Sequence, residues 1–277
     1  MNRLSPAKQA QIAACLVEGN SVRGTGRLVG ATLNTVLRNL LWLGDACQKF
    51  HHDTVREIRT TRIEADELYS FILAKDKNLP PELQGSRDFG DMYTWVAIDP
   101  DTRLIISWHV GKREYGDAQI FAMDLASRIA GRVQITTDQL THYRSAIFDA
   151  FGTDADYATL RKSTGIPTIT PDGKIERPEN LKVHRRASVF GEPDKELIST
   201  SSIESNNLLM RMSSRRYIRF TNGFSRRIRN KRAALALYFV YYNFCRISPP
   251  IRVTPAMEAG LSDRIWEIED IVGLLRN

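Results

Sequence analysis

Three carboxylates in this 277-residue chain fall where they could do chemistry on a phosphate: Asp66, Asp138 and Glu204. Glu204 follows a run of hydroxyl residues, Ser199 to Ser202, that suits a helix N-cap and puts it in a first helical turn. Helical steps from it reach Leu208, Arg211 and Arg215 on the same side. A carboxylate with arginines one and two turns further on could hold a cation and a phosphate together. It could also be a solvated glutamate favoured by the helix dipole. Asp66 and Glu67 are in mid-strand, where a buried carboxylate needs a partner and a divalent cation is one candidate. Solvated acids on an edge strand are the alternative. Asp138 ends a short strand that follows a helix, at the carboxyl end where ligands collect. Three gathered acids repel one another unless cations lie between them. Two divalent ions about 3.5–4 Å apart would stabilise both the attacking and the leaving oxygen at a phosphodiester. Oxygen ligands and a phosphate substrate point to two Mg²⁺ ions, with Mn²⁺ able to substitute.

The elements that must position these acids follow from periodicity. Ile63, Ala65, Glu67, Tyr69 and Phe71 alternate with Glu64, Asp66, Leu68 and Ser70, which predicts a strand from Arg62. Strands at Met92–Ile98 and Leu104–Gly111, joined by Asp99-Pro100-Asp101-Thr102, make an antiparallel hairpin in which Asp99 and Asp101 form the turn. An amphipathic helix follows over 117–130, built on Ile120, Phe121, Met123, Leu125 and Ile129. Val133 to Asp138 is then a short strand, and a helix starts near Thr141. A helix between two strands of one sheet implies a crossover and a parallel pair. Tyr157 to Leu160 could be a fifth strand, inside a Pro- and Gly-rich stretch over 152–198 that reads as a long irregular excursion. Ala233 to Phe244 is apolar on all sides and should be a buried helix. This order predicts an α/β fold, an RNase H-like mixed sheet flanked by helices, whose first and fourth strands bring Asp66 and Asp138 together.

Two parts of the chain point to a polyanion. Residues 4–44 read as three helices with a Gly30 turn, and the third carries Leu33, Val36, Leu37, Leu40 and Leu41 on its inner face. That is the helix-turn-helix layout, although a plain three-helix cap has the same pattern. Arg23, Arg27, Thr32, Asn34, Thr35 and Arg38 would face DNA. Further on, Arg211, Arg215, Arg216, Arg219, Arg226, Arg227, Arg229, Lys231 and Arg232 form a block with no acid, interleaved with Tyr217 and Phe220, which could pack on a sugar or base. The net charge of +7 agrees with a nucleic-acid partner. Cys15, Cys47 and Cys245 form no CxxC pair, which argues against a zinc ribbon or disulfide framework. With no signal-peptide core near Met1, a cytoplasmic, nucleoid-associated protein is expected. His51-His52-Asp53 is not expected to bind metal, because adjacent residues on a helix point apart. The expected divisions are a helix-turn-helix domain at 1–46, a helical connector at 47–61, a catalytic domain at 62–246 and a C-terminal tail with a short helix at 247–277.

Several longer stretches resemble the DDE-type transposases of the bacterial insertion-sequence-one family. They are Ile63-Glu64-Ala65-Asp66-Glu67-Leu68-Tyr69-Ser70-Phe71, Thr136-Thr137-Asp138, and Ser199 through Leu208. Thr221 to Ser225, Tyr241 to Arg246 and Val253 to Leu261 extend the resemblance over nearly the whole chain. It implies a catalytic and metal-binding triad of Asp66, Asp138 and Glu204, which cuts insertion-element ends and joins their 3′-OH groups to target DNA without a protein nucleophile. It also implies double-stranded DNA as partner and a homo-oligomer to pair two ends. Some relatives begin with a zinc ribbon, which this chain has no cysteines to build. Recognition of element ends would then fall to the helix-turn-helix and the basic blocks. Two rival readings stay open: a non-catalytic helix-turn-helix protein such as a repressor or inactive transposase, and another RNase H-like nuclease that would not join DNA.

Overall fold

The computed structural model describes residues 4–164, 168–169, 172, 175–176, 182–217 and 223–276. The chain opens with α1 (Pro6–Val17), α2 (Val22–Val29) and α3 (Leu33–Thr54). Then come β1 (Arg62–Ile72), β2 (Gly90–Ile98), β3 (Ile105–Gly111), α4 (Tyr115–Ala126), β4 (Val133–Thr137) and α5 (Thr141–Phe151). They are followed by β5 (Ala155–Thr164), β6 (Thr168–Ile169), β7 (Ile175–Glu176) and β8 (Lys182–Phe190). The chain closes with α6 (Ser201–Ser213), α7 (Ile228–Val240), α8 (Pro255–Glu258) and α9 (Ile268–Gly273).

Six strands form one mixed sheet in the order β3-β2-β1-β4-β5-β8. β1 pairs antiparallel with β2 and parallel with β4, and β4 pairs parallel with β5, as the crossover through α4 requires. Asp99 makes the β2–β3 turn, its Oδ1 accepting from Asp101 N at 2.8 Å and Thr102 N at 3.4 Å. One face of the sheet packs Ile63, Ala65, Trp95 and Ile135 against Phe121 and Leu125 of α4 and Ala146 and Ile147 of α5. The other packs Leu68, Val96, Ile98 and Ile105 against Ile203 and Met210 of α6 and Leu235 and Phe239 of α7. The mixed six-stranded sheet between helical layers is compatible with the RNase H-like fold that the strand order predicts.

Several expectations change. The 152–198 stretch is not irregular throughout: β8 returns along β5 from Thr164↔Lys182 to Tyr157↔Phe190 as a sixth strand. The far half of the pair, Arg161 to Thr164 with Lys182 to Arg186, is largely polar in sequence, so the apolar signal is confined to Ala155 to Leu160. The expected boundary at 46/47 falls inside α3, a 22-residue helix that runs on to Thr54. Leu40, Leu43 and Cys47 of α3 share one core with Ala236, Leu237, Val240 and Phe244 and with Ile271 and Val272 of α9. The front helices and the C-terminal tail are therefore packed into a common body. Gly44 makes the closest approach: a Cβ there would lie 2.4 Å from Ala233 Cα, so α3 meets α7 backbone to backbone. The inner face of α3 is also rotated from expectation. Leu33 is 42% exposed, Leu37 and Leu41 are half-buried, and Val36, Leu40 and Leu43 face inward. α4 likewise leaves Ile120 and Met123 in solvent and buries Ala118, Phe121, Ala122 and Leu125.

Candidate active site

Strand alternation splits β1 into two faces. Glu64, Asp66 and Leu68 point towards the α6–α7 layer, and Ile63, Ala65 and Glu67 towards the α4–α5 layer. The β1–β4 register pairs Arg62 with Gln134, Ile63 with Ile135 and Glu64 with Thr136. Continued two residues further, it reaches Asp66 on one strand and Asp138 just past the end of the other. β4 stops at Thr137, so Asp138 lies where the ladder opens and both faces can be reached.

One carboxylate oxygen from each of Asp66, Glu67 and Asp138 lies within 4.8 Å of the others. Asp66 Oδ2 accepts from Asn207 Nδ2 of α6 at 2.7 Å, and its Oδ1 accepts from Glu67 N at 2.8 Å. Asp138 Oδ1 accepts from Leu140 N at 2.9 Å, which ties it to the start of α5. Glu67 Oε1 accepts from Arg113, at 2.5 Å from Nη2 and 2.8 Å from Nε. The same guanidinium is 3.9 Å from Asp138 Oδ2. Glu67 Oε2 is buried and has no hydrogen-bond partner among the described residues, and the Tyr143 hydroxyl and Asn207 Oδ1 are in the same condition.

The charges strain against one another. Burial, then Asp138 and Glu204, push Asp66 up to about 6 in spite of the donors from Glu67 N and Asn207. Burial, then Asp138 and Asp66, push Glu67 up to about 7 although Arg113 pulls the other way. An all-oxygen donor set that is short of positive charge and has an orphaned buried carboxylate oxygen fits a hard divalent cation.

Glu204 is placed differently from the expected triad. It stands at the rim and its charge reaches Asp66, but its Oε1 accepts from Lys162 Nζ of β5 at 2.6 Å and from Thr200 Oγ1 at 2.8 Å. It is therefore not among the three acids that meet within 4.8 Å. The helix that carries it starts inside the expected hydroxyl run, with Thr200 at the N-cap and Ser199 Oγ accepting from Ser201 N at 3.1 Å, but the next two backbone donors are met from elsewhere. The carboxylate of Glu64, only 3% exposed, accepts from Ser202 N at 2.7 Å and Ile203 N at 3.0 Å. A carboxylate from the sheet meets the positive end of α6, so the strand bearing Asp66 also orients the helix bearing Glu204.

Sequence reasoning passed over Glu64, Arg113, Lys162 and Asn207. Two spacings pointed to a pair of them: Glu64 is two strand positions before Asp66, and Asn207 is three helical positions after Glu204. Arg113 and Lys162 had no such signal.

The basic block divides. Arg211, Arg215, Arg226, Arg227, Arg229 and Arg232 are exposed. Arg229 pairs with Asp45 of α3 at 3.0 Å, and Arg232 Nη2 donates to Val110 O at 3.1 Å. Lys231 is not a surface cation. It is 1% exposed, its Nζ bonds Ser70 Oγ, and it lies 4.2 Å over the Tyr217 ring. Burial, then Arg216, hold its pKa far below the ordinary lysine value. Arg216 is half-buried, with Nε 3.2 Å from Ser225 Oγ, and burial lowers its pKa as well. Tyr217 is buried, its hydroxyl 2.8 Å from Thr94 Oγ1, and so cannot stack on a base. α7 is enclosed on both sides, which a one-sided reading of the charged block could not anticipate. Arg219 and Phe220 lie outside the described residues.

In the front helices, Arg23, Arg27, Thr32, Asn34 and Arg38 are exposed. Thr32 caps α3 by accepting from Thr35 N at 3.2 Å, and Thr35 is half-buried with its hydroxyl 2.9 Å from that of Thr32. His51 is buried against Ile105 O at 3.2 Å and His52 contacts Arg56, so the two histidines share no site. Among the described residues no helix is long and apolar enough to cross a membrane. No family model matches the chain, and no curated protein matches it.

Proposed function

We propose that the chain is a DDE-type DNA transposase that binds insertion-element ends, cuts phosphodiester bonds there and joins the 3′-OH ends to target DNA. The observation that carries this reading is the meeting of Asp66 and Asp138 on adjacent parallel strands, with Glu67 beside them and Glu204 at the rim. Asp66 and Asp138 would hold divalent cations, Mg²⁺ or Mn²⁺, and Glu204 would join them once Lys162 lets it go. Bound cations would supply Lewis-acid stabilisation of the attacking and leaving oxygens. Asn207 keeps the Asp66 carboxylate oriented, and the buried Trp95–Tyr143 contact walls the site from behind. The protein's work is positioning and charge neutralisation.

The outer surface supports DNA as the substrate. We read α2 and α3 as a helix-turn-helix: Gly30, at φ 62°, turns the chain between them. Arg23, Arg27, Asn34 and Arg38 would reach the phosphates and base edges, and Thr32 serves mainly as a cap. Exposed Leu28 and Leu33 beside them suit thymine methyl groups. At the other rim, Arg161 and Arg185 are exposed and stand directly opposite across β5 and β8. Like charges in that relation are destabilising, and a phosphate backbone would offset the repulsion. Pairing two DNA ends calls for a homo-oligomer on the duplex.

Nicking and strand transfer on a labelled element-end duplex test the reading, in Mg²⁺ or Ca²⁺, with wild type and Glu204→Ala. Mg²⁺-dependent joined products are expected, absent in Glu204→Ala while binding persists. Tight binding without cleavage in Mg²⁺ or Mn²⁺ would overturn the enzymatic reading and leave a DNA-binding protein.

The divided basic block gives a second test in the same binding assay. Lys231→Met should leave DNA affinity unchanged and thermal stability equal or slightly higher, because a buried amine whose charged form burial disfavours is exchanged for an apolar chain of similar length. Arg227→Ala should weaken binding and reduce the salt slope by about 1. Equal losses in the two variants would mean that Lys231 reaches DNA after all.

A further inference from the structure

We propose that Glu67 is a fourth metal-binding carboxylate of this site and that Arg113 holds its place as an exchangeable counter-ion, released when a divalent cation binds. The inference rests on the metal-dependent reading above, and adds to it a ligand from the opposite face of the sheet.

Consecutive strand residues point to opposite faces, so Asp66 and Glu67 should not share a ligand. They do so here because β4 ends at Thr137 and Asp138 lies in the gap, open to both sides. Glu67 has the longer side chain and comes round from the α4–α5 side. Its side chain is 2% exposed, and among the described residues Oε2 has no hydrogen-bond partner. An ionised oxygen buried in this way is costly unless a charge arrives to meet it.

Arg113 supplies only part of that charge. Among the described residues it is the one cationic side chain within ion-pair distance of Asp66, Glu67 or Asp138. Three acids against one guanidinium leave a deficit that a divalent ion would fill. Glu204 brings no positive charge to this balance, and its own nearest cation is Lys162. Arg113 is also free to leave. Its side chain is 43% exposed, and in the position where it pairs with Glu67 its guanidinium carbon also lies 5.6 Å over the Tyr93 ring, at the solvent edge of the site. On this account, cation binding breaks the Arg113–Glu67 pair, brings a Glu67 oxygen onto the ion and turns Arg113 towards DNA.

The test uses the full-length protein and Mn²⁺ alone. In crystals of wild type soaked in MnCl₂, the anomalous signal should show an ion with a Glu67 oxygen in its coordination sphere and Arg113 turned away. Calorimetric titration with Mn²⁺ should show at least a tenfold loss of affinity in Glu67→Gln, judged beside a thermal melt showing that the variant is folded. An ion bound by Asp66, Asp138 and Glu204, with Glu67 still on Arg113, would overturn this inference and leave the transposase reading standing. Unchanged Mn²⁺ affinity in folded Glu67→Gln would do the same. Wild type that binds no Mn²⁺ at the acids would sink both.

Discussion

Asp66→Asn is expected to abolish Mg²⁺-dependent strand cleavage, by about a thousandfold or more, and also to raise the melting temperature of the metal-free protein by a few degrees. On the proposed reading the first effect follows from losing a ligand charge where the transition state needs it, since about 4 kcal/mol of lost stabilisation is a thousandfold in rate. The second follows from the raised pKa. Asp66 ionises at about 6 in the folded chain and near 4 when unfolded. The folded state therefore holds its proton more tightly, so the stabilising contribution is full below about pH 4 and is lost as pH rises through about 6. At pH 7.5 the ionised group costs the fold about 3 kcal/mol. Asparagine removes that cost. It also leaves one of the two donors, Glu67 N or Asn207 Nδ2, without its acceptor, at about 1 kcal/mol. The net gain is then about 1–2 kcal/mol. The check is a set of melts across pH 4.5–7.5, in chelator and in Mg²⁺. Wild type in chelator should lose stability from this site as pH rises, and Mg²⁺ should restore it most at pH 7.5. Asp66→Asn should show a shallower pH slope and little response to Mg²⁺. A variant that melts below wild type in chelator at pH 7.5 would mean that the carboxylates are not in conflict.

That conflict also explains which parts of the site could be read in advance. Asp66 and Asp138 were legible because two local signals agreed: acids in the middle of a period-two apolar segment, and an acid at the end of a short strand after a crossover helix. The right-handed crossover rule then brings the two strands together with no need for long-range detail. Glu67 was visible as an expensive acid, but alternation assigns it to the wrong face, and only the early end of β4 undoes that assignment. Glu204 could be placed on its helix, whereas its partner Lys162 comes from the polar far end of β5, past the apolar residues that mark the strand. Lys231 misled for the opposite reason. A run of cations reads as one surface, yet α7 passes between the sheet and α3 and takes one lysine inside. Contacts between distant segments decide such cases, and composition carries no trace of them.

Glu64 is the clearest case of such a long-range contact and carries the second large effect. Glu64→Ala should lower stability by about 3 kcal/mol, because it strips a buried carboxylate from two backbone donors, Ser202 N and Ile203 N, that water cannot easily reach. For a chain of this length that is a fall of roughly 6–12 °C in melting temperature. Glu64→Gln keeps one acceptor oxygen and should lose about half as much. Activity should suffer beyond the stability loss. Glu204 begins one residue after Ile203, so a freed α6 N-terminus shifts the carboxylate at the rim and also Asn207, which orients Asp66. DNA affinity should hold, because the exposed arginines are on other elements or at the far end of α6. Strand cleavage and DNA binding measured at 15 °C, where Glu64→Ala remains folded, separate these effects. Reduced turnover with unchanged binding is expected. Wild-type turnover in the folded variant would show that Glu64 holds the helix in place without setting the geometry of the acids. The same strand would then serve the site through Asp66 alone, and the placing of Glu204 would fall to its contacts with Thr200 and Lys162.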